Sequence, residues 1–183
     1  MPFNFRAGSI AGLVIVEPRL FPDGRGAFME SYKDSDFAKA GIVVPFVQDH
    51  HSISTRGTVR GLHFQRPPHA QGKLVRVTRG RVWDVAVDIR RASPTFGKWD
   101  GLELSAVNRL MFWIPAGFAH GFVALEEGTE LQYKCTDEYA PSSEGGIRWD
   151  DPSLGIEWPV NGAVVSEKDG MLPAFDPEGE YFA

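Results

Sequence analysis

"KLVRVTRGRVWDVAVDI", residues 73–89, decides the fold class. Both halves alternate apolar and polar positions, the period of a strand whose two faces meet different surroundings. In the second half Trp83, Val85, Val87 and Ile89 fall on one face, and Val82, Asp84, Ala86 and Asp88 on the other. The Arg79-Gly80 pair between the halves reads as a tight hairpin. Further along, "WDGLELS" (99–105) and "RLMFWIP" (109–115) flank a turn around Ala106 to Asn108, and "GFVALEEGTELQYKCT" (121–136) makes a third pair around Gly128. The 20 Gly and 13 Pro punctuate short apolar runs along the whole length, which suits many short strands joined by loops. The expected class is all-β. Only "DSDFAKAG" (34–41) reads as helical, with Asp34 or Ser35 as N-cap and Gly41 as C-cap, so one short N-terminal helix is expected. From Pro141 onward the chain is rich in Pro, Gly, Asp and Glu, and is expected to wrap the sheets as loops and short strands.

The 183 residues suit one domain spanning 1–183, long enough to bury a core. An apolar fraction of 43% and a net charge of −5 belong to ordinary globular proteins rather than disordered or fibrous ones. Cys135 is the only cysteine, so no internal disulfide framework exists. The N-terminal apolar run breaks at Glu17, and no segment approaches the roughly 18 apolar residues of a membrane span. A cytoplasmic protein with no membrane partner is the expectation.

Two local patterns narrow the all-β class. "PAGFAH" (115–120) has the Pro-x-Gly-x-x-His spacing of the second cupin motif, and "GTVRGLHFQ" (57–65) sets Gly57 six residues ahead of His63, as in the first. The chain resembles a cupin double-sheet jelly roll, with a ligand cavity between the sheets. Metal-binding cupins hold a transition metal with a His-x-His pair, a following Glu and a later His. Here the pair reads His63-Phe64-Gln65, and the next acidic residue is Asp84, in the following strand. His63 and His120 alone cannot close a coordination sphere. No metal is expected, which leaves the histidines free for proton chemistry or hydrogen bonding.

Positions 50–83 hold seven Lys or Arg and no Asp or Glu, in a chain that is acidic overall. Such a window suits an anionic ligand. His63 is the candidate base, since an imidazole can take up and release a proton at neutral pH. By position alone, a lone His in a β cavity is more often a structural hydrogen-bonder. Lys73, on the face of Val75 and Val77, can point into the cavity toward a developing oxyanion, or stand solvated at its strand end. Arg60 is an odd number of residues from His63, so a regular strand puts them on opposite faces unless Gly61 allows a bulge. Tyr133 and Tyr139 can each donate a proton or offer a ring face, or simply fill core. Lys168 and Asp169 read by default as solvated loop charges, and no periodicity joins Asp169 to His63.

Taken together, "RGLHFQRPPHAQGKLVRV", "DVAVDIR", "SPTFGKW", "MFWIPAGFAHGF", "LQYKCTDEYAP", "EGGIRWDDPSLGIEWP" and "VSEKDG" resemble the dTDP-4-dehydrorhamnose 3,5-epimerase family, in order from about Ile15 to Asp169. The resemblance implies cofactor-free conversion of dTDP-4-dehydro-6-deoxy-D-glucose to the L-rhamno configuration, in dTDP-L-rhamnose biosynthesis. It also implies His63 as base, Asp169 as the carboxylate behind it, Tyr133 as acid on the other side of the sugar, and Lys73 as the cation at the enolate oxygen. Arg25, Arg60 and Lys168 then match diphosphate contacts, and Tyr139 the ring that stacks on thymine. Glu30, Gln48, Asp49, His120 and Glu144 fall at further ligand-contact positions. In "QDHHS" (48–52) His50 occupies a contact position where the common family pattern is Gln-Asp-Asn. Family members exchange N-terminal strands between subunits, which implies a homodimer.

Three alternatives stay open on sequence alone. Related epimerases invert only C3 or only C5. A metal-dependent cupin would need an acidic ligand near His63 that is missing. A non-catalytic module could bind a sugar nucleotide or nucleic acid, although the basic residues alternate between strand faces and form no continuous stripe for a nucleic acid.

Overall fold

The alternating stretch folds as two strands, Lys73–Arg79 and Arg81–Asp88, that do not pair with each other. The computed structural model describes residues 2–182. Among these the strands are, in chain order, β1 (Phe3–Ala7), β2 (Val14–Pro18), β3 (Phe21–Asp23), β4 (Gly26–Phe28), β5 (Gln48–Ser54), β6 (Val59–Gln65), β7 (Lys73–Arg79), β8 (Arg81–Asp88), β9 (Trp99–Ser105), β10 (Met111–Ile114), β11 (Phe118–Ala124), β12 (Thr129–Cys135) and β13 (Glu144–Gly146). One sheet runs β1-β2-β10-β7-β12-β5 and the other β13-β6-β11-β8-β9, while β3 and β4 form a separate hairpin. The result is a double-sheet jelly roll.

The three expected hairpins are therefore turns of another kind. At Gly80, at Ala106 to Asn108 and at Gly128 the chain leaves one sheet and enters the other. Alternation assigns faces to a strand, not hydrogen-bonding partners, and β7 already has both edges occupied by β10 and β12. Gly80 takes a left-handed φ of 71°, and a Cβ there would lie 2.5 Å from Thr129 Oγ1, so the corner is too tight for a side chain.

Between the sheets, Val75, Val77, Phe112 and Leu131 meet Val82, Ala86, Phe118 and Phe122. The opposite face of β8 is also buried. Val85, Val87 and Ile89 pack beneath Ile147, Leu154 and Tyr181, so the stretch after Pro141 wraps the five-stranded sheet as expected. On the far side, helix α1 (Asp34–Lys39) buries Phe37 completely among Phe3, Leu74 and Met111. Burial of a side chain this size contributes about 1.5–3 kcal/mol.

The caps of α1 differ from expectation. Lys33 is the N-cap, with no side-chain capping bond, and Ala40 is the C-cap. Gly41 follows it at φ 86°, where the Gly41 and Ile42 N–H groups reach back to Ala38 and Phe37 carbonyls. Nor is α1 the only helix among the described residues, since Glu167–Gly170 form a four-residue helix, α2.

Candidate active site

The site begins with an irregularity in β6. His120 pairs with His63 but Phe122 pairs with Arg60, so β6 carries one extra residue against β11. A regular strand would send Arg60 and His63 to opposite faces; the bulge turns both into one cavity. It sits at Gly61, whose φ is 137° and whose missing Cβ would lie 2.5 Å from Gly121 Cα. Only two glycines let the strands approach this closely.

His63 Nε2 and Asp169 Oδ1 are 2.8 Å apart, and the second oxygen of Asp169 accepts the Gly61 N–H at 3.2 Å. Asp169 is delivered by α2, where Ser166 Oγ accepts the Asp169 N–H. Burial works to raise the Asp169 carboxyl, but the His63 hydrogen bond and charge, the Gly61 N–H and Lys168 outweigh it and hold it below the ordinary carboxylate value. The residue that read as a solvated loop charge is a buried carboxylate facing an imidazole.

Lys73 enters from β7 in the opposite sheet and is 9% exposed. Burial pulls its ammonium below the ordinary lysine value, opposed by Cys135, Asp84 and Glu144. Tyr133 comes from β12 beside it, and burial pushes its phenol up to about 12. A cavity of about 240 Å³ is lined by Arg60, His63, Lys73, His120, Tyr133 and Asp169 among others. A second hollow of about 260 Å³ shares His63, Lys73 and Tyr133 and extends to His50, Tyr139 and Glu144. Tyr139 stands half-exposed at its rim, donating from its hydroxyl to Glu144 Oε2 at 3.0 Å, while Lys168 Nζ reaches Glu144 Oε1 at 2.7 Å. Gln48 Oε1 accepts the Tyr139 N–H at 2.8 Å.

Other expected residues lie elsewhere. Asp49 points to the outer face of its sheet and pairs with Lys134 at 3.0 Å. Arg25 sits on the β3–β4 hairpin with its side chain 92% exposed, paired to Asp23, and lines neither hollow. Glu30 lines neither hollow, and its Oε2 is buried with no hydrogen-bond partner among the described residues.

Gln65, in the place of a cupin metal ligand, is buried and fully engaged. Its amide nitrogen donates to the His69 and Glu138 carbonyls, and its oxygen accepts the Ala140 N–H at 2.8 Å. Among the described residues no group of three His, Cys, Asp or Glu is arranged to hold a metal ion.

Sequence reasoning overlooked Asp84. It is fully buried, and both its oxygens lie 3.1 Å from His120 Nε2, making a second histidine–carboxylate pair behind Lys73. Burial lowers the His120 imidazole, Asp84 opposes this, and Lys73 and His63 add to the lowering. The signal was present: an acid between Val82 and Ala86 on the inward face needs a partner. Ser166 and Asp169 had one too, in the Ser-x-x-Asp spacing of a helix N-terminus.

A profile of the dTDP-4-dehydrorhamnose 3,5-epimerase family matches residues 7–177. The chain belongs to this family. An epimerase of that name from Pseudomonas aeruginosa is 56% identical over 169 residues, covering 91% of this chain and 93% of its own. The crystal structure of the Bacillus anthracis epimerase, with TDP and PPi bound, has a TM-score of 0.93 at 42% identity, covering 94% of this chain and 99% of that one. The Legionella pneumophila 3,5-epimerase, in complex with dTDP-4-keto-L-rhamnose, has a TM-score of 0.88 at 45% identity, covering 95% and 99%. As a member of this family the chain is an isomerase. Among the described residues no helix is long and apolar enough to cross a membrane.

Proposed function

We propose that the chain epimerises dTDP-4-dehydro-6-deoxy-D-glucose at C3 and C5 to dTDP-4-dehydro-L-rhamnose, in dTDP-L-rhamnose biosynthesis. The observation that carries the reading is that an imidazole backed by a carboxylate and a phenol kept protonated by burial reach one cavity from opposite sheets, with the buried Lys73 lining the same cavity. A C–H bond beside a ketone becomes removable when the oxyanion meets a preorganised cation, worth about 3 kcal/mol or more. His63 takes the proton from the carbon, and Asp169 steadies the imidazolium. The electron pair moves to the C4 oxygen, where Lys73 meets it. Tyr133 then protonates the same carbon from the other face, the phenolate recovers a proton from water, and the imidazolium gives its proton back to water, which resets both groups. Applied at C3 and again at C5, these steps invert both centres with no net oxidation and no cofactor.

The nucleotide belongs at the rim. Tyr139 offers its ring to thymine, and Arg60 and Lys168 supply cations to the diphosphate. Glu144, Gln48, His50 and His120 surround the same space. Arg25, Glu30 and Asp49 lie outside it and act across a homodimer in this reading. The β3–β4 hairpin, whose residues are all exposed, reaches a second copy's site. A cytoplasmic location, where nucleotide sugars are made and used, completes the reading.

Proton NMR in deuterated water tests it. Metal-stripped protein with dTDP-4-dehydro-6-deoxy-D-glucose is expected to place deuterium at both C3 and C5 of an inverted product. Label at one carbon only means a single-centre epimerase, and none at either removes the catalytic reading. Tyr133→Phe is expected to keep exchanging a substrate proton while giving little inverted product. Light scattering on the eluted peak checks the dimer.

A further inference from the structure

His50 and Tyr133 stand opposite each other in the β5–β12 pairing. Their rings stack, with centroids 4.9 Å apart and 26° between planes. The Tyr133 ring also packs against the core between the sheets, with the His120 ring 6.4 Å away at 66° and Lys73 Nζ 5.8 Å from its centroid. Among the described residues nothing hydrogen-bonds the Tyr133 hydroxyl, so packing on the ring sets where that hydroxyl points. The imidazole of His50 covers one face of the phenol and opens on the hollow that also holds His63, Lys73 and Glu144. An asparagine at this position, with no ring, could make a hydrogen bond but not the stack.

We propose that His50 is a positioning residue for Tyr133: its ring face holds the phenol in the orientation from which the inverting proton is delivered. The inference rests on the epimerase reading above. Once His63 has taken the proton, the enolate has two fates. The imidazolium can return a proton to the original face, or the Tyr133 O–H bond breaks as the enolate's electron pair forms the new C–H bond on the other face. The imidazolium exchanges its proton with solvent, so the first fate appears as deuterated substrate and the second as inverted product. A ring that swings loses only the second branch. Loss of folding or of substrate binding lowers both branches equally.

The experiment is the ratio of inverted product to deuterated, uninverted substrate for the unaltered chain, His50→Ala and His50→Phe, with dTDP-4-dehydro-6-deoxy-D-glucose in deuterated water. His50→Ala is expected to lower the ratio about three- to tenfold, the size of a lost ring–ring contact. His50→Phe, which keeps a flat ring over the phenol, is expected to restore it to within about twofold. An unchanged ratio in His50→Ala overturns the proposal, and so does a His50→Phe ratio as low as that of His50→Ala, which would assign the effect to the imidazole nitrogens. If the unaltered chain neither exchanges nor inverts, the epimerase reading falls first and this inference with it.

Discussion

His63 Nε2 lies 2.8 Å from Asp169 Oδ1, a contact between residues 106 apart in the chain. When Nε2 donates to this carboxylate, Nδ1 of the neutral ring carries the lone pair that can take a proton. Asp169→Asn keeps the shape and removes the charge, so the imidazolium loses its support. The expected result is a fall in kcat of about 100-fold or more, measured by steady-state turnover of the keto sugar nucleotide. The same variant has a stability signature. The Asp169 carboxyl is held below 3.8 in the folded state, so the unfolded chain binds that proton more readily. Its contribution is full above about pH 3.8 and is lost as pH falls through the lower folded value. Asp169→Asn should therefore melt below the parent at pH 7, with the gap closing in acid; a gap that stays constant down to pH 2 would contradict the linkage.

In the proposed mechanism Lys73 is the cation that the enolate oxygen meets, and its burial removes the water that would otherwise screen it. Lys73→Gln keeps a donor, one bond shorter, while deleting the charge. Solvent deuterium uptake at C3 should slow by about 100-fold or more, the usual cost of losing one preorganised donor at a developing oxyanion. Because this step precedes both fates of the enolate, the partition between exchange and inversion should stay near that of the parent. A shifted partition with normal uptake would move Lys73 out of this role.

The faces of β7 and β8 were legible because alternation is a local property, and Val75, Val77, Val82 and Ala86 meet where the pattern puts them. The partners of those strands were not. Gly80 looked like a hairpin turn because a two-residue corner between sheets and a hairpin turn demand the same glycine. Lys73 and His63 could be picked from residue type and face. Arg60 could not, since one extra residue in β6 decides its direction and Gly61 permits that without requiring it. Asp169 is the hardest case: its contact with His63 is tertiary, and the local Ser-x-x-Asp spacing marks a helix start without saying what the carboxylate faces.

Asp84 and His120 form a buried pair 3.1 Å apart with little access to water. Asp84→Ala strands the His120 ring nitrogen without an acceptor and deprives Lys73 of a nearby negative charge. Leaving a buried donor without its acceptor costs about 1–3 kcal/mol. For a chain of this size that lowers Tm by roughly 2–12 °C. Asp84→Asn, which still accepts from the ring, should lose less. Thermal melts of the two variants at pH 7 decide the point, and equal Tm values for both and the parent would mean that the pair carries no stability.

Gly61 and Gly121 touch where β6 bulges against β11. A Cβ on Gly61 would lie 2.5 Å from Gly121 Cα and 2.9 Å from the His120 carbonyl oxygen, at a φ of 137° that side chains rarely adopt. Both neighbours are backbone, so neither can swing aside. Gly61→Ala is expected to cost about 3 kcal/mol or more through overpacking and backbone strain. Activity should fall further than stability alone explains, because the Gly61 N–H also holds Asp169. Gly24→Ala is the matched control, since a Cβ there meets nothing within 4 Å. Chemical denaturation of both variants should leave Gly24→Ala within about 0.5 kcal/mol of the parent and shift Gly61→Ala well below it. If Gly61→Ala unfolds like the parent, β6 can leave the bulge without loss, and Arg60 and His63 need not share a cavity because of it.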